Sequence, residues 1–350
     1  MGANEKTKGW FTEAVLNTFF KKWVWQTFCV AWVWQTFCVN LVYKKFDKWK
    51  GWLYLSPAIV LLIIFTGWPI INTLRMALLE DYSTMAMLGG ETFKFGIGNF
   101  QKVIVYQDFL ICLKNTLVLC VLTVPISTIL ALIIAVCLNS IKFLNRFLQT
   151  IFFLPYVTNS IAIGMVFAAM FNIIGRIDSP YASLGIINNA LKLLGMDPIN
   201  WINVGSSWGA NIAVMTIYIV WNALPFKILI LLGGLQSVNK QYYDAAKIDS
   251  TPRVRVFTRI TVPLLSPMIA YVVITGFIGG FKEYSSIVGI FGEGMGPAGN
   301  KGSLNTMVGY IYDSLKAHQG RASAAALILF GIIFVVTMIN LYVSKKKTHY

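Results

Sequence analysis

The sequence predicts an all-α, polytopic membrane protein of six spans with both termini in the cytoplasm. Three observations carry that reading. Hydrophobic residues make up 57% of the chain and charged residues only 12%, whereas a soluble domain averages about 45–50% and roughly 25%. Six runs are apolar over the ~20 residues needed to cross about 30 Å of hydrocarbon. Basic residues, 29 against 14 acidic for a net charge of +15, are sorted unevenly between alternate connections.

The N-terminal segment, 1–51, stands apart from the spans. It lacks a basic region leading straight into an apolar run with a small-residue cleavage site, so no cleavable signal peptide is expected. WVWQTFCV occurs twice, at 23–30 and 32–39, a period of nine. Nine residues is about 2.5 helical turns, so the copies face opposite sides of a helix and build no common surface. Residues 23–43 carry Gln26, Gln35 and Asn40 between lysine pairs, which fits an aromatic-rich interfacial helix. An additional span there is the alternative, and it would place the N-terminus outside.

The spans follow at 53–71, 116–138, 147–171, 212–232, 268–290 and 322–342. Pro69, Pro125, Pro155 and Pro225 lie in or at the ends of these runs, where neighbouring helices can resatisfy the freed backbone groups. With both termini inside, the inner segments hold eighteen basic residues, among them Lys44, Lys45, Lys142, Arg146, Arg253, Arg255 and the tail lysines within 345–350; the outer ones hold nine. That asymmetry satisfies the positive-inside rule. It also disposes of nucleic acid as a partner, because the charge excess marks topology instead of forming a basic stripe.

The longest inner connection, 236–266, is the most informative loop. Residues 239–248 read as a short helix. Ser250 and Thr251 are candidate caps, with Pro252 at the first position of a second helix. Val254, Phe257, Ile260 and Leu264 recur at helical spacing between Arg253, Arg255 and Arg259, giving an amphipathic pair suited to docking into a partner.

This loop resembles the signature loop of ABC-importer permeases: Glu-Ala-Ala, three residues, Gly, nine residues, Ile, one residue, Leu-Pro. Asp244, Ala245, Ala246, Ser250, Ile260 and Pro263 keep every spacing, with Asp for Glu, Ser for Gly and Val262 for Leu. A serine at 250 adopts positive φ only at a cost; alternatively, the cap at 250–252 carries the break. Stretches 147–167, 187–202, 220–238 and 303–315 are similar to the carbohydrate-uptake branch, the larger maltose permease subunit family. The resemblance covers about 300 residues, within an expected permease domain at 52–344. It implies a six-helix type I permease core in the bacterial cell membrane. It further implies a second permease subunit, in all expectation a different chain, two ATP-binding subunits and an extracytoplasmic solute-binding protein. No cofactor is bound by this chain; ATP and Mg belong to the partner ATPases. In agreement, no phosphate loop occurs: residues 296–303, GPAGNKGS, have glycines in the wrong order.

Ionisable residues inside spans are functional candidates because burial there is costly. They are Lys227, and Lys282 with Glu283. Snorkelling of Lys227 and a local Lys282–Glu283 pair are the bland alternatives. Each of Lys227 and Glu283 lies about 15 residues, or ~22 Å, from opposite faces, so straight helices put them roughly 14 Å apart in depth. The resemblance implies solute contacts from Trp221, Asn222 and Phe226, matching a Trp-x-Gly-x-Pro-Tyr-like stretch, and from Gly280, Lys282, Glu283 and Tyr284, where the family has amides. Phe226 is expected to stack on a sugar face; Gly276, Gly279 and Gly280 alternatively serve helix packing. Rival functions are an ABC permease for an amino acid, phosphate or polyamine, and a membrane-embedded enzyme. The enzyme reading has little support: there is no H-E-x-x-H, and no pair of acids lies within the spans. His318 and His349 are too few for a metal site, and Cys29, Cys38, Cys112, Cys120 and Cys137 form no C-x-x-C pair.

Overall fold

The computed structural model describes residues 50–141, 145–175 and 183–347. The tandem repeat, the expected interfacial helix at 23–43, Lys142 and Arg176 lie outside the described residues, as do residues 348–350 of the tail. The chain divides into two compact units, Met1–Asn72 and Thr73–Tyr350. In the first, α1 (Lys50–Leu62) runs through a π turn at Ile63–Gly67 into α2 (Trp68–Leu78), whose residues from Thr73 onward belong to the second. The resulting span, Tyr54–Leu78, is seven residues longer at its end than the apolar run alone indicates, since Thr73 and Arg75 continue the helix.

The second unit continues with α3 (Thr84–Leu88) and α4 (Gly98–Val105), then α5 (Gln107–Ser140), α6 (Asn145–Val157) and α7 (Ser160–Phe171). A two-residue antiparallel ladder, β1 (Ile173–Ile174) on β2 (Ser183–Leu184), pairs Ile173 with Leu184. After α8 (Ile186–Leu193) come α9 (Trp208–Ser237), α10 (Lys240–Ile248) and α11 (Arg253–Val256). A π turn at Phe257–Thr261 leads into α12 (Val262–Leu264), followed by α13 (Ser266–Phe281), α14 (Ser285–Phe291), α15 (Met307–Leu315) and α16 (Gln319–Lys347). The protein is mostly helical and polytopic. Among the described residues, four helices are long and apolar enough to cross a bilayer, or up to six if each of two bent pairs is one span.

The bends correct two of the expected straight spans. Run 147–171 is two helices, α6 and α7, at 99° to each other. The side chain of Asn159 stops the first and starts the second by accepting the amides of Ile161 and Ala162 at 2.9 and 3.4 Å; such a cap competes with helix continuation. Run 268–290 breaks at 282–284, so Lys282 and Glu283 sit between helices and not within one. Gly279 and Gly280 weaken the last turn of α13, each by about 1 kcal/mol relative to alanine. A 68° bend also separates Arg253–Leu264 from α13.

Among the described residues, three apolar clusters form the core. Phe109, Cys112, Cys120 and Val124 of α5 meet Ala324, Ala325 and Leu329 of α16 in the first. In the second, Leu119 joins Ile212, Val214 and Met215 of α9, Phe171 of α7, and Ile287 and Ile290 of α14. Ala131, Ala135 and Leu138 pack on Ile228, Leu231, Leu232 and Leu235 of α9, with Leu265 and Val272, in the third. Helices α5 and α9 therefore run side by side in the same direction. The α7–α14 contact is unusually close: a Cβ built on Gly164 falls 2.7 Å from Gly289 Cα.

The N-terminal end of α16 is strapped to the loop after α2. Asp81, at φ +55, accepts from Lys102 Nζ at 2.5 Å and Arg321 at 3.5 Å. Fully buried Asn99 donates to the carbonyls of Ala77 and Leu79. Hydrogen bonding to Lys102 holds the Asp81 carboxyl below its usual range against the opposing cost of burial, with lesser help from the charge of Lys102 and from Arg321.

Candidate functional site

A cavity of about 380 Å³ lies between α5, α9 and α13, with Val124 of the first cluster and Ile219 of the second in its wall. Its wall includes Val124 and Ser127 from α5, Tyr156 and Ser160 from the α6–α7 bend, Asn222, Phe226 and Lys227 from α9, and Gly276 and Gly280 from α13. Glu283 and Ser286 complete it at the second helix break. Such a volume lies in the range of small-ligand pockets. Both helix breaks open onto this one space, so each bend delivers polar groups that a continuous apolar helix would not carry.

Lys227 is 4% exposed. Its ammonium donates to Ser127 Oγ at 2.7 Å, Thr128 Oγ1 at 2.9 Å and the Val124 carbonyl at 3.2 Å. Both hydroxyls in turn donate to α5 backbone carbonyls, Ser127 to Thr123 and Thr128 to Val124, so they meet the lysine as acceptors. Three N–H donors thus find three neutral oxygens, and the snorkelling alternative is not what the side chain does. Gly276 makes room for this, since a Cβ there would stand 3.1 Å from Nζ.

Glu283 accepts the backbone amide of Ser286 at 3.2 Å, and its own carbonyl accepts from Thr306 Oγ1 at 2.8 Å. Lys227 and Glu283 line the same cavity without forming an ion pair within 4.0 Å among the described residues. The straight-helix depth estimate separated them; the break before α14 is why they share a wall. The alternative of a local Lys282–Glu283 pair is also missing among the described ion pairs: Lys282 is the exposed C-cap of α13.

The aromatic residues divide. Phe226 stacks on Tyr156 with centroids 6.1 Å apart and 19° between planes, at the cavity wall. Asn222 donates to Tyr218 Oη at 3.2 Å and Ser160 Oγ at 3.4 Å. Trp221 turns instead onto Phe167 of α7, at 5.2 Å, and Tyr284 onto Tyr312 of α15, at 4.8 Å; neither lines the cavity. Gly280 lies against Cys120, whose Sγ would be 2.8 Å from an added Cβ. Sequence reasoning missed Ser127, Thr128, Tyr156, Ser160 and Ser286. The first two had a signal, being adjacent hydroxyls beside Pro125 within an otherwise apolar run.

At the far end of α9 lies the loop 236–266. Asn239 caps α10 through the amide of Gln241. Ser250 takes φ +52, and Thr251 N–H reaches back to the Ala246 carbonyl at 2.9 Å, the closure of a helix ended by a left-handed residue. The serine itself therefore makes the break. Pro252 occupies the N-cap of α11 with no side-chain cap bond, correcting the expected Ser250/Thr251 cap. Asp244 pairs with Lys247 at 2.7 Å on the exposed face, and that hydrogen bond lowers its pKa. Ala246 is buried, Ala245 exposed, and Ile260 and Pro263 half-buried. Tyr242, Ile248 and Val254 project apolar surface, with Ile248 84% exposed.

A helical membrane bundle with an internal polar cavity and a projecting two-helix loop defines a transport subunit. The chain belongs to the family described as binding-protein-dependent transport system inner membrane component, which residues 127–349 match. It is a multi-pass permease subunit of that type. It is 30% identical over 298 residues to the lactose transport system permease protein LacF of Rhizobium radiobacter, covering 85% of this chain and 93% of that one. It is 31% identical to the arabinooligosaccharides transport system permease protein AraP of Bacillus subtilis, covering 84% and 88%. Among solved structures, a bacterial ABC transporter involved in the import of the acidic polysaccharide alginate superposes with a TM-score of 0.68 at 21% identity. That match covers 89% of this chain and 100% of the other, and it shows the fold.

Proposed function

We propose that this chain forms the translocation path of an ATP-driven importer for sugars, oligosaccharides or related polyols. The observation that carries the solute class is the α5–α9–α13 cavity. It offers an amide, hydroxyls, one carboxylate and a stacked Phe226–Tyr156 pair, the mixture of donors, acceptors and aromatic faces that polyhydroxylated solutes need. Lys227, its three N–H groups already taken, has none left for an anionic solute, which disfavours phosphate. Relatives named for lactose and arabinooligosaccharide transport support the same class.

Six crossings with both termini inside is the topology we infer. Helices α5 and α9 run in the same direction, so the chain must recross between them. Packing of Phe152 in the third cluster and Phe171 in the second supports α6–α7 as that bent span. By the same reasoning, Leu265 and Ile290 support a crossing by α13 and α14 together. Loop 236–266 then faces the cytoplasm, where its exposed Ile248 and Val254 suit docking into one of two ATP-binding subunits. A second permease subunit closes the path, and an external binding protein delivers solute. Alternating access would proceed by rocking of the spans around the cavity.

Uptake of labelled sugars by the reconstituted complex tests this. Transport of at least one oligosaccharide, lost in Phe226→Ala, and uncoupling from ATP hydrolysis in Asp244→Arg with Ala246→Arg are expected. ATP-dependent uptake of an amino acid or phosphate but no sugar would overturn the solute assignment. Coupled uptake in the double variant would overturn the docking role.

A further inference from the structure

A second polar opening of the bundle, away from the central cavity, lies at the N-terminal end of α5 and is about 780 Å³ in volume. Loop 236–266 follows the C-terminal end of α9, so this vestibule is at the opposite end of the molecule. Cys112 of its floor precedes Thr123 of the central cavity by eleven residues of α5, about 16 Å of helix. It is a separate space.

The unmet hydrogen-bonding groups concentrate here. Among the described residues, five buried side-chain polar atoms have no partner, and three of them, Ser303 Oγ, Asn305 Oδ1 and Arg321 Nε, belong to residues lining this vestibule. Buried polar groups are nearly always satisfied, so three together call for a ligand or solvent that completes them. Asn305 is 8% exposed and its amide nitrogen donates to Asp313 at 2.9 Å, which fixes the side chain. The wall is rigid as well. Asn115 donates to the carbonyls of Ser303 and Asn305 at 2.9 and 3.0 Å, tying the loop to α5. Around the rim the charges balance, Asp108 and Asp313 against Lys301 and Arg321. Tyr106 and Tyr310 supply ring faces.

From this we infer that the vestibule is an outer sugar-binding site, holding a neutral polyhydroxylated solute before it enters the central cavity. Balanced charge favours a neutral ligand over an anion or a metal cation. The Asp313 carboxylate held by Asn305, the exposed Asp108, an amide and tyrosine rings are suited to hydroxyls and sugar faces. The inference rests on the sugar reading above.

The test places a thiol in the vestibule, Ile111→Cys, in the full reconstituted complex without binding protein. Labelling by a membrane-impermeant maleimide is followed with lactose, maltotriose or an arabino-oligosaccharide present, and the native chain provides the labelling blank. At ten times its Kd a bound sugar slows labelling about tenfold. Protection persists when Phe226→Ala disables the central cavity. It is lost in Asp313→Ala with Asn305→Ala, or in the exposed change Asp108→Asn should the double variant not assemble. No protection while sugar uptake is intact overturns the outer site and leaves the central one standing. Protection that vanishes with Phe226→Ala also overturns it, because the label then reports the central cavity. A complex that transports no sugar overturns the underlying reading instead.

Discussion

The ammonium of Lys227 on α9 and the hydroxyl of Ser127 on α5 are 2.7 Å apart, joining the two parallel helices at the level of the central cavity. Ser127 accepts from the lysine while donating to its own helix. A buried charge held by neutral oxygens alone depends on every one of them. Ser127→Ala leaves one N–H without a partner, at a cost of about 1–3 kcal/mol. Lys227→Met removes the charge with its demand and is expected to be nearer neutral. Thermal unfolding of both variants in detergent checks the order. A native-like Ser127→Ala beside a strongly destabilised Lys227→Met would contradict it.

The contact of Gly164 with Gly289 leaves no room for a side chain on either helix. Gly164→Ala must push α7 from α14, and overpacking of this kind costs typically 1–3 kcal/mol. Because both helices begin at breaks lining the cavity, lower transport should accompany lower stability. Unchanged melting and uptake in Gly164→Ala would show that the helices separate freely.

Ser250 bears a left-handed conformation that costs an L-residue roughly 1–2 kcal/mol. Ser250→Gly is expected to raise the melting temperature and Ser250→Val to lower it, with the loop's shape retained in the glycine variant. ATPase coupling measured on both separates a backbone effect from loss of a serine contact. Coupling lost even in the glycine variant, whose backbone is unstrained, would mean that the hydroxyl itself is needed.

Asp81 gives the strap at the start of α16 a dependence on pH. Its folded pKa is lowered, chiefly by the hydrogen bond from Lys102. A lowered carboxyl contributes stability that is fully present above its unfolded value, about 3.9, and is lost as pH falls through the folded value. Both pairs are partly exposed, so each contributes about 0–1 kcal/mol. Asp81→Asn should therefore melt slightly below the native chain at neutral pH. The two curves should converge below about pH 4, the range in which the unfolded carboxyl takes up its proton. A gap that widens on acidification would exclude this account.

Hydropathy and charge placement by themselves determined that this is a helical membrane protein and where its apolar runs lie, because lipid demands long stretches of internally bonded, apolar helix. The spacing of Asp244, Ala246, Ser250 and Pro263 also marked the loop 236–266, since a two-helix turn is encoded by neighbours along the chain. Tertiary structure alone decided that runs 147–171 and 268–290 are bent, as a hydropathy window averages over Asn159 and over Lys282–Tyr284. It also decided which polar residues meet. Lys227 and Glu283 read as separated in depth until the break before α14 put them on one wall. Trp221 and Tyr284 read as solute contacts until packing on Phe167 and Tyr312 turned them aside. Residue type indicates that a buried polar group needs a partner. Which partner it finds depends on where two distant helices cross, and that is settled by side-chain packing across the bundle.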